Sequence, residues 1–432
     1  MNTPKPSSFE VLRKGFAYLL GERVLRIFIG VFVHVLVVRS LGPELYGVYG
    51  LAMSYFVIVQ PFVNYGADDL ILKDVIKQPK NSTKYLTSLW IYKIIWALVS
   101  YIGLLAFVFF REFESSFILL VAILGTYNLA NTLSIFELKL QSQSLFKEIS
   151  VSRFSSYIIF SIAKIIMIFS FLDIYWLAVF YVLEILIARL FMLPKTPKTI
   201  SFSLIDFEYM SDFFKKSWPY LVTVFVLVLS QRVGVFILNN FRSLEEVGNY
   251  NVLLSLLKFF DFFPLVLFTT FMPNILAIKE SNLDKYRRRI SGIYFILILI
   301  CAGLSSVTFI FSDLIVKILY GEKYIYLAQV LAPGFLGLTF TFLNLFKARH
   351  FLIEDMYRSW MMYNLTILAF VIPILYALVP EYGTLGAIYA YMLACLGADL
   401  VFLIFVKGYR KIIWRILGAI KTPYYLLRDK TL

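Results

Sequence analysis

The feature that most restricts what this chain can fold into is a succession of apolar runs, each about twenty residues long, separated by short stretches that carry most of the charge. A hydrocarbon layer roughly 30 Å thick is crossed by about 20 residues of α-helix, and in lipid a helix satisfies its own backbone. By that ruler the spans fall at residues 16–38, 45–66, 86–110, 116–136, 154–172 and 174–193, then 217–239, 247–273, 290–311, 324–346, 359–379 and 383–406. Composition matters here only as a check. The chain is 60% hydrophobic and 16% charged, against roughly 45–50% and about 25% in soluble domains, so an aqueous fold could not bury its apolar surface. The 18% aromatic content suits helices facing lipid, with Tyr and Trp at the bilayer boundary.

The cut between the fifth and sixth spans rests on Asp173 alone, and the orientation of every later span depends on it. With that cut, basic residues outnumber acids in one alternate set of loops and acids outnumber basic residues in the other, counting Arg189 with the loop it adjoins. Positive loops stay in the cytoplasm, so both termini are placed there. Met1 to Lys14 is polar, and the following segment is interrupted by Glu22, Arg23 and Arg26. It is read as the first span, not a cleavable signal peptide.

The net charge of +14 is scattered between apolar runs, which argues against nucleic acid as a partner. The densest cluster, Lys285-Tyr286-Arg287-Arg288-Arg289, reads as a stop signal beside anionic lipid heads. Cys301 and Cys395 both lie in apolar segments, and His34 and His350 are far apart. No disulfide framework, metal site or cofactor is expected from them.

These divisions predict an all-α polytopic protein: a first lobe of six helices over residues 1–193, a cytoplasmic linker over 194–216 and a second lobe over 217–406. A basic tail occupies 407–432. An internal echo supports the repeat: Glu44 to Tyr49 and Glu245 to Tyr250 share Glu-x-x-Gly-x-Tyr, each in the short external turn after the first helix of its half. An offset of an even number of helices implies parallel repeats. In the tail, Ile412, Ile413, Ile416, Leu417 and Ile420 recur at helical spacing, with Lys411 and Arg415 off that stripe. This predicts a helix in the interface, apolar face in lipid and cations on phosphates.

Charges inside the membrane cost at least about 2.5–3.5 kcal/mol each and usually face a bundle interior or a wet cavity. Arg23, Arg26, Gly30 and His34 share one helical face of the first span. Lys93, Lys164 (with Tyr157 and Ser161), Arg232 (with Asn239) and Lys258 (with Asn251 and Ser255) add cations from both halves. The acids reckoned within the spans, Glu22, Glu184, Asp261 and Asp399, are too few to neutralise these six cations. A cationic cavity that takes an anion is therefore the expected site, made of Arg23, Arg26, Lys93, Lys164, Arg232 and Lys258. The bland alternative is that Arg23 snorkels to the boundary and the acids simply neutralise neighbours, Asp261 pairing with Lys258 at i, i+3. Glu184, Asp261 and Asp399 are alternatively ion-coupling groups. Pro61, Pro219, Pro264, Pro333 and Pro373 lie in or at the ends of spans, where each removes a donor and can bend its helix.

Several motifs carry a family resemblance: Arg39-Ser40-Leu41-Gly42-Pro43-Glu44-Leu45-Tyr46-Gly47-Val48-Tyr49, Glu246-Val247-Gly248-Asn249-Tyr250, Tyr320-Gly321-Glu322-Lys323-Tyr324 and Glu381-Tyr382-Gly383-Thr384-Leu385-Gly386-Ala387. On these the chain resembles the polysaccharide-transporter branch of the multidrug, oligosaccharidyl-lipid and polysaccharide exporter superfamily, which includes O-antigen flippases. The resemblance implies two six-helix lobes around a central cavity, alternating access, and a substrate of sugar units on undecaprenyl diphosphate. Its implied partners are that lipid-linked oligosaccharide, membrane lipids and the polymerases and glycosyltransferases of a glycan pathway. Related drug exporters use acids in the first lobe, where this chain carries Arg26, Lys93 and Lys164.

Two other classes remain open on sequence. Asp68-Asp69 followed by Asp74 is superficially similar to a magnesium-diphosphate site of a membrane enzyme, although Lys73 and Lys77 intervene and polar capping of the second helix's inner end explains it as well. A non-transporting scaffold of a glycan pathway is the second.

Overall fold

The computed structural model describes residues 8–64, 67–354 and 356–418, and these are helical without any strand. Nine helical stretches among them are long and apolar enough to cross a membrane. The fold class expected from the apolar runs is the one observed, and the chain is a multi-pass membrane protein. Two of the nine stretches carry two predicted spans each. The helix α1 (Ser8–Asn64) is broken at Gly42, where φ is +78°, a conformation that glycine adopts without a Cβ penalty. Pro43 follows, with φ preset for a first helical turn.

The chain divides into two compact units, one comprising residues up to Leu41 with Val48–Val228, the other Gly42–Gly47 with Leu229 onward. In the first unit, α1 is followed by the short α2 (Ala67–Lys77), then α3 (Ser82–Phe110) and α4 (Ser115–Asn131). The short α5 (Ser134–Ser142), α6 (Phe146–Ser170) and α7 (Ile174–Leu190) complete it, and α8 (Phe207–Phe241) runs across the boundary between units. The loop residue Asp173, on which the fifth and sixth spans were cut, lies between α6 and α7 and caps α7 by accepting from the Tyr175 N–H. The amphipathic α2 and α5 fold under α3, burying Ile71, Leu86, Leu89, Ile135 and Leu140 in one apolar cluster.

The second unit holds α9 (Leu244–Phe259), α10 (Phe262–Ser281), α11 (Leu283–Leu319), α12 (Ile325–Ile353), α13 (Tyr357–Phe405) and α14 (Lys407–Gly418). The predicted eighth span is not one helix: it is interrupted at Phe260 and Asp261, between α9 and α10. Pro264 explains the position, because it lacks the N–H that would bond the Phe260 carbonyl and its ring crowds that carbonyl. Phe260 instead accepts from Phe263 at 3.0 Å.

In α13, kinked at Gly383, Ala387, Ala390, Ala394 and Ala398 are buried while Leu393, Leu396, Leu400 and Ile404 are exposed. Small residues inward and large apolar residues outward is the reverse of an aqueous helix. It fits one packed on other helices through its small face, with lipid as the solvent on the other.

The two Glu-x-x-Gly-x-Tyr echoes meet within this unit. A Cβ on Gly47 would run into the carbonyl of Leu244, and a Cβ on Gly248 into that of Pro43. Leu244 lies as far before Gly248 as Pro43 lies before Gly47, so the contact is reciprocal. Glycine at both positions is a requirement of backbone approach.

Candidate functional site

Lys93 is fully buried in α3. Its Nζ donates to Asp68 Oδ1 at 2.6 Å and to Ser134 Oγ at 2.7 Å, so the cation is clasped between α2 and α5. Asp68, just past the predicted end of the second span, stands on α2. The rest of that acidic trio does not converge on a metal site: Asp74 accepts from the Tyr209 hydroxyl at 2.9 Å, and Asp69 lies outside the described side chains. Among the described residues no group of three or more His, Cys, Asp or Glu side chains could hold a metal ion.

A second network joins α1, α6 and α7. Glu184 Oε2 accepts from Lys164 Nζ at 2.8 Å and its other oxygen lies 3.8 Å from Arg26. Arg26 also donates to Glu22 at 3.1 Å, one turn earlier in its helix, and its guanidinium lies 4.9 Å from the Tyr157 ring centroid, a cation–π distance. The side chain of Arg26 remains 36% exposed. Arg23, on the same helix, is exposed, and His34 is half-buried.

A third network was not anticipated. Glu137 of α5 is buried and takes charge-assisted hydrogen bonds from both Arg153 of α6 and Arg189 of α7. Asn131 accepts from Arg189 at 3.3 Å. Arg189 lies inside the sixth span, so the membrane holds one more cation than the six named, and its counter-charge stands on a short helix read from sequence as a loop.

In the second unit, Lys347 of α12 is buried and donates to both oxygens of Asp399, at 2.6 and 2.9 Å. Tyr363 of α13 donates to the same carboxylate at 2.6 Å, as does Tyr409 of α14. The expected Asp399 is thus found with a partner the spans excluded, since Lys347 lies one residue past the predicted end of the tenth. Arg232 of α8 is half-buried and Lys258, in the last turn of α9, is exposed. The charged neighbours of Lys258 are Arg232 and Asp261. Asp261 sits beyond the end of α9, at the N-cap of α10, so the expected i, i+3 pair on one helix does not form. Lys258 joins none of the ion pairs formed among the described residues.

The result is an uneven distribution of charge. Carboxylates hold Arg26, Lys93, Lys164, Arg189 and Lys347, while Lys258 is exposed beside a second cation. An exposed ammonium with a guanidinium for a neighbour can receive a multiply charged anion, because both cations gain on its arrival.

Solved structures of membrane transporters share this fold. The lipid II flippase MurJ in an inward-closed conformation superposes with a TM-score of 0.71 at 15% identity, covering 96% of this chain and 94% of that one. An inward-facing multidrug resistance MATE family transporter of the MOP superfamily gives 0.59 at 11% identity over 89% and 96%. The eukaryotic MATE transporter AtDTX14 gives 0.59 at 16% over 94% and 99%. No curated protein matches the sequence. Residues 12–273, more than half the chain, match the model of the polysaccharide biosynthesis protein family, and the chain belongs to that family.

Proposed function

We propose that the chain is a flippase that moves an undecaprenyl-diphosphate-linked oligosaccharide, an O-antigen or other surface-polysaccharide repeat unit, across the bacterial cytoplasmic membrane. The observation that carries this reading is Lys258. In a polysaccharide-biosynthesis protein it is an exposed cation within a predicted span, with Arg232 beside it. A diphosphate passing through a low-dielectric region needs such offsetting charge, and Arg offers it paired hydrogen bonds. The likeness in fold to a protein titled a lipid II flippase supports the same reading.

In this proposal both termini are cytoplasmic and residues 1–193 and 217–406 form two lobes that alternate access, linked by 194–216. The chain carries out no bond chemistry and hands its cargo to polymerases or ligases of the glycan pathway. Glu184, Asp261 and Asp399 are the acids available for ion coupling. Deletion of the gene, with the lipid-linked intermediate measured in each leaflet, is the test. The expected outcome is a complete, unextended intermediate accumulating in the cytoplasmic leaflet. An intermediate accumulating in the outer leaflet, or one of altered chemical structure, would instead make the chain an assembly enzyme or scaffold.

A further inference from the structure

The last described helix, α14, begins two residues after α13 ends. Val406 between them is extended, with φ −114° and ψ +98°, so the chain turns off the axis of α13. Arg410 fixes that corner: its Nε donates to the Leu403 carbonyl at 2.9 Å and its Nη2 to that of Ile404 at 3.1 Å, satisfying carbonyls left open at a helix end.

The stripe expected to lie in lipid is not the one left outward. Tyr409 and Ile412 are buried, and Ile413 and Ile416 are half-buried. Arg415, expected to meet phosphates, is buried instead. It donates to Glu354 Oε1 at 2.9 Å and contacts His350, while its carbonyl accepts from Ser291 Oγ at 2.8 Å. Ile420, with the rest of 419–432, lies outside the described residues. Docking through Tyr409, Ile412 and Arg415 sets the rotation of the helix and turns Lys407, Arg410, Lys411, Trp414 and Leu417 outward. Trp414 is 71% exposed and, at 100° per residue, lies between Arg410 and Lys411 on that face. α14 contains no acidic residue.

We infer that this outward face of α14 is a binding surface for anionic phospholipid headgroups, with Lys407 and Lys411 on the phosphates and the Trp414 indole inserted at the level of the glycerol backbone. Three observations on the helix converge on a lipid surface. It starts where the apolar run of α13 stops, which is the depth of the headgroups. Its outward charge is all of one sign, complementary to an anionic leaflet. An indole ringed by cations has the amphipathic shape of an interfacial anchor. The inward face is bonded through Tyr409 to Asp399 and so to Lys347. Headgroups that hold α14 down therefore also hold a ligand of this buried ion pair in place.

The test reconstitutes the full chain in vesicles of phosphatidylcholine with and without phosphatidylglycerol, one lipid at a time carrying brominated acyl chains. The Trp414 signal is the difference between the chain and its Trp414→Phe variant. Brominated phosphatidylglycerol is expected to quench it more strongly than brominated phosphatidylcholine, with the preference falling in high salt. Lys407→Gln with Lys411→Gln should reduce that preference about fivefold per lysine. Neither lysine takes part in docking α14, so helix content and unfolding midpoint should stay unchanged. Equal quenching by both lipids would overturn the inference. So would a Trp414 quenched by aqueous iodide and by neither lipid, which would mark a surface for a soluble partner.

Discussion

In the first unit Lys93, Lys164 and Arg26 each reach a carboxylate on a neighbouring helix, at 2.6, 2.8 and 3.8 Å; in the second, Lys258 is exposed and its nearest company includes another cation, Arg232. All five lie within predicted spans and look alike in sequence. A buried pair is costly to break because its survivor is left without counter-charge, yet its formation adds little net stability. An exposed cation near a like charge adds no stability either, and in water it is readily replaced. The first unit's cations thus hold helices in register. In the second unit Lys347 is held in the same way by Asp399, and Lys258 is the cation left open to an incoming anion.

The largest effect expected from this contrast is on folding in the first unit. Asp68→Asn leaves the Lys93 ammonium fully buried with only Ser134 for a partner. The loss should be about 3 kcal/mol, at the lower end for an orphaned buried charge because Asp68 is partly open to solvent. Thermal unfolding of the purified chain in detergent would show it, and Lys93→Met in the same molecule should recover most of the loss. The next effect is on transport in the second unit. Lys258→Gln should leave the unfolding midpoint nearly unchanged and slow leaflet transfer roughly tenfold, the weight of one charge-assisted hydrogen bond, with Lys258→Arg retaining most activity. The reverse pattern, in which Asp68→Asn blocks transfer in a stable protein and Lys258→Gln unfolds it, would abolish the distinction between the units.

Much of the architecture was legible because lipid imposes one length and one periodicity on every span. Gly42-Pro43 and Gly383 mark turns in the sequence and are kinks in the structure. The break between α9 and α10 was legible in principle from Pro264, whose ring denies a hydrogen bond to Phe260, but a hydropathy ruler passes over one proline. The partners of the cations were not legible. Asp68 and Glu137 stand on α2 and α5, and a ruler that ends each span at the first charge assigns such short amphipathic helices to loops. Cations that these acids hold were therefore reckoned as unpaired. Lys347 was missed for the same reason, one residue beyond a boundary. An alternating apolar pattern in α2, with Ile71 and Val75 one turn apart and both buried, is the signal that could have found the first of these helices.

The smallest expected effect concerns the end of the second unit where α14 docks, where charge is paired as it is in the first unit. Burial pushes the Glu354 carboxyl up, but the hydrogen bond and charge of Arg415, the charge of Lys279 and the Tyr286 hydroxyl outweigh it and hold the group below its ordinary value. Lys279 Nζ lies 3.8 Å from Glu354 and Tyr286 Oη donates to it at 3.1 Å. A carboxyl depressed by folding contributes stability that is complete above its unfolded pKa of about 4.3 and is lost as pH falls through the lower folded value. The attachment of α14 through Arg415 should therefore be indifferent to pH near neutrality and loosen only in acid. Hydrogen exchange of α14 amides, followed as pH is lowered, should rise below about pH 4 while α3 amides stay protected. In Glu354→Gln the same amides should exchange faster already at neutral pH. If Glu354→Gln left α14 as protected as before, the Arg415 contact would carry no docking energy.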